Sequence, residues 1–74
     1  MGRLRVLSGR EVCAILAANG FRQVRQRGSH IVMQNRSEGT TITVPVPDYP
    51  ELRPGTLLSI IRQSGLPRQL FEVQ

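Results

Sequence analysis

Two stretches of the chain place apolar residues at the spacing of an amphipathic helix. The first, SGREVCAILAANG, spans 8–20, and its apolar positions follow the i, i+3, i+4 pattern: Val12, Ile15 and Leu16. Ser8 and Glu11 have the S-x-x-E spacing of a capping box, which predicts that the helix begins there. Gly20 is predicted to end the helix by adopting a left-handed conformation.

The second helical stretch, PGTLLSIIRQSG, spans 54–65 and repeats the same apolar spacing: Leu57, Ile60 and Ile61. Pro54 suits the first turn of a helix, and Gly65 is predicted to end it. We expect both apolar stripes to face one core. In the tail, Leu70 and Phe71 are predicted to pack on the edge of that core in a last short turn.

The segment between the two helices has the composition and the turn residues of β-strands. Residues 21–27 and 30–35 predict two strands that are joined by a tight turn at Gly28 and Ser29. A glycine-containing hairpin loop at 36–39 is predicted to lead into a third strand. Consecutive strands joined by such short connections pair as an antiparallel meander.

In the third strand, TTITVP at 40–45, apolar residues alternate with polar ones, and Pro45 and Pro47 are predicted to stop it. The order α-β-β-β-α predicts an α+β fold, in which two helices pack on one face of a three-stranded antiparallel sheet. The other face of the sheet would stay open to solvent or to a ligand. We expect residues 1–74 to form a single domain.

Charge changes this picture, because the chain has ten arginines, no lysine and a formal net charge of +5. Arginine binds phosphate through two parallel hydrogen bonds, so the composition favours a polyanionic partner such as nucleic acid. The two-residue period of a strand predicts that Arg25 and Arg27 share a face while Arg22 lies on the other. Small proteins are often basic, so charge alone leaves a solvated surface as the alternative.

Several kinds of chemistry are excluded by what the chain lacks. One histidine and one cysteine cannot provide the roughly four ligands of a zinc site, and the five acidic residues are scattered. We therefore expect no metal or other cofactor. Cys13 is expected to pack within the first helix, and a lone cysteine indicates the reducing cytoplasm. No apolar run approaches the roughly 20 residues needed to cross a bilayer, so no membrane partner is expected.

What remains is His30, the single histidine, which stands among arginines in the stretch RQRGSHIVM. Histidine accepts and donates protons near neutral pH, and RNA carries its own nucleophile in the 2′-hydroxyl. A histidine and an arginine can therefore cleave RNA without a metal. From the residues alone, an idle surface histidine at the start of a strand is the favoured interpretation.

Four segments together resemble the HicA family, also called YcfA-like proteins, which are the toxins of HicA–HicB toxin–antitoxin pairs. The segments are SGREV to GF at 8–21, VRQRGSH at 24–30, TVPVP at 43–47 and ELRPGTLLSIIRQSGL at 51–66. The resemblance implies a fold like a double-stranded-RNA-binding domain and an endoribonuclease that cleaves mRNA. It also implies that His30, in the Gly-Ser-His motif, is catalytic and that a HicB-like antitoxin masks the site.

Five further residues are candidates for RNA binding. On the strands, Arg25 and Arg27 could contact a phosphate, and Ser29 could donate a hydrogen bond to one. At the start of the second helix, Arg53 and Thr56 flank free backbone N–H groups, which is a common site for anions. Solvated strand charges, turn formation and helix capping are the alternatives that the sequence leaves open for these residues.

The chain departs from the family at Ile31, where many members carry a second histidine, so a mechanism that needs both is in doubt. On the second helix, Arg62 and Gln63 are predicted to form a solvated face. Two other functions stay open at this point. One is a non-catalytic RNA-binding module that uses its arginines on phosphates, and the other is a protein that docks only on an acidic partner.

Overall fold

The structure, a computed structural model, describes residues 2–74, so Met1 of the predicted single domain lies outside the described residues. The helices are α1 (Gly9–Ala18), α2 (Pro54–Ser64) and a final 3₁₀ helix (Arg68–Phe71). The strands are β1 (Arg22–Arg27), β2 (His30–Ser37) and β3 (Thr40–Pro47). They form one antiparallel sheet in the order β1-β2-β3, which confirms the α-β-β-β-α order and the α+β fold.

Both predicted apolar stripes contribute to a single core on one face of the sheet. Buried residues of the two helices pack there against inward-facing residues of β2 and β3: Val12, Leu16, Leu57, Ile60, Ile61, Ile31, Met33, Val44 and Val46. Ile15 and Leu70 are only partly buried against this cluster. Phe71 is 0% exposed, so the tail is held in the core and not merely at its edge.

The capping box that begins α1 is present in full. The Glu11 backbone N–H donates to Ser8 Oγ at 3.0 Å, and the Ser8 N–H donates to Glu11 Oε1 at 2.8 Å. Hydrogen bonding of the Glu11 carboxyl, first to the Ser8 backbone and then to the Ser8 side chain, lowers its pKa below the usual value. Because the folded state favours the carboxylate, this contribution to stability is present at neutral pH and is lost as the pH falls through the lowered pKa.

Replacing Ser8 with alanine is expected to lower the free energy of unfolding by about 1 kcal/mol, because the Glu11 N–H in the first turn loses its acceptor, Ser8 Oγ. Urea unfolding followed by circular dichroism measures this change. Ser37→Ala is a matched control, since Ser37 is exposed at the end of β2. Equal effects of the two substitutions would contradict the capping assignment.

The second and third strands are longer than the sequence pattern predicted. The prediction that the third strand stops at Pro45 is wrong, since Pro45 pairs with Val32 within β3, and the strand ends at Pro47, which pairs with His30. Because β3 is an edge strand, a proline whose nitrogen faces away from β2 costs no ladder hydrogen bond. The predicted loop at 36–39 is reduced to a two-residue turn, since β2 continues through Ser37.

A β-bulge in β1 changes which side chains share a face. The pairing with β2 shifts by one residue between Gln23 and Arg25, which leaves Val24 unpaired. The resulting partners are Arg22 with Gln34, Arg25 with Val32 and Arg27 with His30. Directly paired residues point to the same side of an antiparallel sheet, so all three arginines share one face. The prediction that Arg22 lies on the opposite face from Arg25 is therefore wrong, whereas the shared face of Arg25 and Arg27 is confirmed.

Candidate functional site

The sheet face away from the helices, called the open face below, concentrates positive charge. It carries the alternate residues of β2 and their partners on the outer strands, including four exposed arginines: Arg22, Arg25, Arg27 and Arg36. Within residues 2–74 the salt bridges are Arg10 with Asp48 and Arg68 with Glu72, and neither involves the open face. The four guanidinium groups there are consequently available to an external anion.

His30 lies on the open face at the start of the central strand. It is exposed, and its partners across the sheet are Arg27 on one side and Pro47 on the other. Side chains of directly opposed residues have Cβ atoms about 5 Å apart, so the Arg27 guanidinium can reach the surroundings of the imidazole. Strand pairing thus brings His30 close to one of the predicted arginines, Arg27.

The turn before His30 is held in place by backbone contacts. Gly28 has φ +57, a conformation that suits the first central position of a tight hairpin turn. The carbonyl of Ser29 accepts a hydrogen bond from the Asp48 N–H at 2.6 Å. This bond ties the β1–β2 turn to the segment after β3 and thereby positions His30.

A cavity of about 330 Å³ lies at the junction between the edge of the sheet and α2. Its sheet side is formed by His30, Pro45 and Pro47, and its helix side by Gly55, Thr56, Ser59, Ile60 and Gln63. Of the candidate site residues from the sequence, the cavity brings together His30 and Thr56. It does not include Arg25, Arg27, Ser29 or Arg53, although Arg27 is paired with His30 on the sheet.

The N-terminus of α2 opens into this cavity without a side-chain cap. Arg53 occupies the cap position and makes no capping hydrogen bond, and Pro54 at the first turn has no N–H to donate. The N–H groups of the next two residues, Gly55 and Thr56, cannot have intrahelical partners. Space around Gly55 is open, since a Cβ there would meet no atom within 4 Å. An anion in the cavity can therefore accept hydrogen bonds from this turn.

Two residues of the cavity wall were missed by sequence reasoning. Ser59 lines the cavity, and so does Gln63, which is also exposed, as predicted. Gln63 Nε2 donates to Ser59 Oγ at 3.1 Å. With Thr56 they form a polar stripe at i, i+3 and i+7 on α2, a periodicity visible in the sequence, but nothing local shows that the stripe faces His30.

Cys13 and Ile31 lie away from this chemistry. Burial, together with the Asp48 carboxylate, raises the pKa of the Cys13 thiol, which keeps it protonated at neutral pH. Ile31 is 4% exposed in the core, on the opposite sheet face from His30. The departure at position 31 therefore removes no group from the cavity.

Two further properties of residues 2–74 bear on the kind of protein. No three of their His, Cys, Asp and Glu side chains are grouped closely enough to hold a metal ion. None of their helices combines the length and the hydropathy that a membrane span requires.

The fold and the site define a small α+β protein with a basic open sheet face and a histidine beside a cavity. Residues 9–66 match a family model described as the HicA toxin of bacterial toxin–antitoxin systems. The match spans most of the chain, so the protein belongs to the HicA toxin family, as its motifs indicated. A comparison with curated proteins finds no match.

Proposed function

We propose that the protein is a metal-independent endoribonuclease that cleaves mRNA, with His30 in proton transfer. The observation that carries this proposal is the shared cavity of His30 and the uncapped N-terminus of α2. It provides a proton-transfer group and N–H donors for a phosphate in the same place. Membership in a toxin family supports an activity that damages the cell. Because the proposed substrate is mRNA, the activity would take place in the cytoplasm.

The proposed step uses the 2′-hydroxyl of RNA as the nucleophile. Its oxygen bonds to the adjacent phosphorus, and the bond from phosphorus to the 5′-oxygen breaks, which leaves a cyclic phosphate and a free 5′-hydroxyl. His30 transfers one of the two protons involved, and water transfers the other. The N–H groups of Gly55 and Thr56 would donate to the phosphate oxygens as negative charge builds on them.

The four arginines of the open face support the binding of RNA along the sheet towards this cavity. Arg27 is closest to the reacting phosphate because it is paired with His30. Arg25 and Arg22 extend the track along β1. Among the other candidates, we assign Arg53 to a phosphate beyond the start of α2 and Ser29 to a hydrogen bond at the turn.

Arg22→Ala is expected to weaken RNA binding and to reduce the slope of log affinity against log salt by about 0.7, the value for one phosphate contact on a single strand. Fluorescence anisotropy with a labelled RNA at several salt concentrations measures both quantities. Arg68→Ala is the matched control, because its guanidinium is already engaged by Glu72 at 2.6 Å. If both variants keep the wild-type slope, Arg22 does not contact RNA.

A HicB-like antitoxin is the proposed protein partner. Membership in a toxin–antitoxin family supports a neutralising partner, and the exposed cavity beside His30 is a surface whose coverage would block RNA. The proposal is tested by co-expression with the product of the neighbouring reading frame. A stable complex that no longer cleaves RNA is the expected result.

A non-catalytic RNA-binding module is the second candidate, and the basic open face by itself favours it. Both candidates require RNA affinity that falls with salt. They differ in the fate of the RNA when the purified protein is incubated with it in EDTA. Discrete fragments support the nuclease, whereas intact RNA in stable complexes supports the binding module.

A further inference from the structure

The cavity beside His30 is lined by several side chains that the proposed proton transfer does not use. Its helix side presents three polar side chains in one stripe: Thr56, Ser59 and Gln63. Its sheet side presents the apolar rings of Pro45 and Pro47 next to His30. Ile60, 2% exposed, contributes a further apolar surface from the helix. Apolar walls with a few converging polar groups are typical of a small-molecule or nucleotide site.

The side-chain amide of Gln63 is oriented by its neighbour. One Nε2–H is donated to Ser59 Oγ at 3.1 Å, one helical turn earlier on α2. The second N–H and the Oε1 acceptor have no partner among the side chains of the described residues. A donor and an acceptor side by side are what a glutamine uses to recognise the edge of a nucleobase.

The size of the cavity agrees with such a ligand. About 330 Å³ lies at the lower end of the range for small-molecule sites, which suits a single base and not a duplex. Proteins recognise RNA sequence mainly on unpaired bases, which pack on side chains and form hydrogen bonds at their exposed edges. The proline rings and Ile60 offer the packing surface, and Gln63 offers the hydrogen bonds.

We infer that this cavity is a base-recognition subsite, in which Gln63 selects the unpaired base next to the phosphate that is cleaved. The inference rests on the proposed function and names its substrate more closely: single-stranded RNA with a preferred base at the cleavage position. Gln63 is a specificity-determining residue, and Ser59 positions its amide.

The inference is tested first by binding, with no cleavage involved. In a His30→Ala background, affinities are measured for four uridine-rich hexamers that differ only in one central base. One base is expected to bind at least about tenfold more tightly than the least favoured base, the discrimination of one good bidentate contact. Gln63→Ala is expected to reduce this difference to about twofold or less.

Two further variants sharpen the test. Gln63→Glu keeps the side-chain length but offers only acceptors, so the preference is expected to move to a base that presents an amino group. Gln69→Ala is the matched control, because Gln69 is exposed on the 3₁₀ helix and does not line the cavity. It is expected to keep the wild-type preference.

The results separate this inference from the proposed function. Equal affinity for the four hexamers, or a preference that survives Gln63→Ala, overturns the base-recognition subsite. Cleavage mapping provides the second readout: if RNA is cut but Gln63→Ala leaves the cut positions unchanged, the subsite is wrong while the nuclease stands. If a Gln63-dependent preference is found but the wild-type protein cuts no RNA, the subsite stands and the nuclease is wrong.

Discussion

Replacing His30 with alanine is expected to abolish RNA cleavage while RNA binding and folding persist. A positioned proton-transfer group typically contributes about 10²- to 10⁴-fold to a reaction rate, so the residual cleavage should be that much slower. His30 is exposed and outside the core cluster, which is why its loss should leave stability nearly unchanged. Cleavage of a labelled RNA in EDTA, thermal melting and RNA affinity measure the three quantities.

The matched control for His30→Ala is Gln34→Ala, on the same strand and the same open face. Gln34 Nε2 donates to Thr43 Oγ1 at 3.2 Å and does not line the cavity, so its loss should not affect cleavage. In cells, expression of the wild-type chain is expected to arrest growth, His30→Ala should relieve that arrest, and Gln34→Ala should not. Wild-type cleavage by purified His30→Ala protein would remove His30 from the mechanism.

The architecture could be predicted from the sequence because its signals are local. The capping box of Ser8 and Glu11 and the two apolar stripes depend on residues that lie within one or two turns of each other. Gly65 likewise ends α2 in the predicted left-handed conformation, with φ +73. Such short-range patterns predict the element order, and packing both helices on one face of the meander buries both stripes.

The errors of prediction arose where pairing between strands decides the outcome. Val24 gives no local sign that it is left out of the ladder, yet its exclusion moves Arg22 to the face of Arg25. Pro45 and Pro47 have the local character of strand breakers, and only the edge position of β3 allows them within the strand. Both features depend on a neighbouring strand that the local sequence does not reveal.

In the candidate site, too, some features follow from the local sequence and others depend on contacts between distant segments. His30 could be selected by elimination and by its motif, and Thr56 by its place at a helix start. That these two line one cavity depends on how α2 packs beside β3, a contact between distant segments. Gln63 is exposed, as predicted, but its helical position alone does not show that it also lines this cavity.

A close contact between α1 and the end of β3 supports the site from the opposite side of the sheet. Gly9, the first residue of α1, is buried, and its N–H donates to the Tyr49 carbonyl at 2.9 Å. A Cβ at position 9 would lie 1.9 Å from the carbonyl oxygen of Pro47. Since that oxygen belongs to the backbone, no side-chain rotation can relieve the overlap, and Pro47 is the strand partner of His30.

Gly9→Ala is consequently expected to destabilise the protein by about 3 kcal/mol, the upper part of the usual range for an overpacked site. A loss of this size is a large fraction of the roughly 5–15 kcal/mol that stabilises a typical domain. Thermal and urea unfolding measure it. Cleavage should also fall at temperatures where the variant is still folded, because α1 or the Pro47 segment must move to make room.

The matched control is Gly55→Ala, another glycine in the first turn of a helix. Its Cβ would meet nothing within 4 Å, so its folding stability is expected to stay the same or to rise by up to about 1 kcal/mol, the difference in helix propensity between glycine and alanine. The contrast between the two substitutions isolates the space at position 9, because both change the propensity in the same direction. If Gly9→Ala is as stable as Gly55→Ala, the close approach of α1 to Pro47 does not constrain the fold, and the position of Pro47 opposite His30 must depend on the sheet alone.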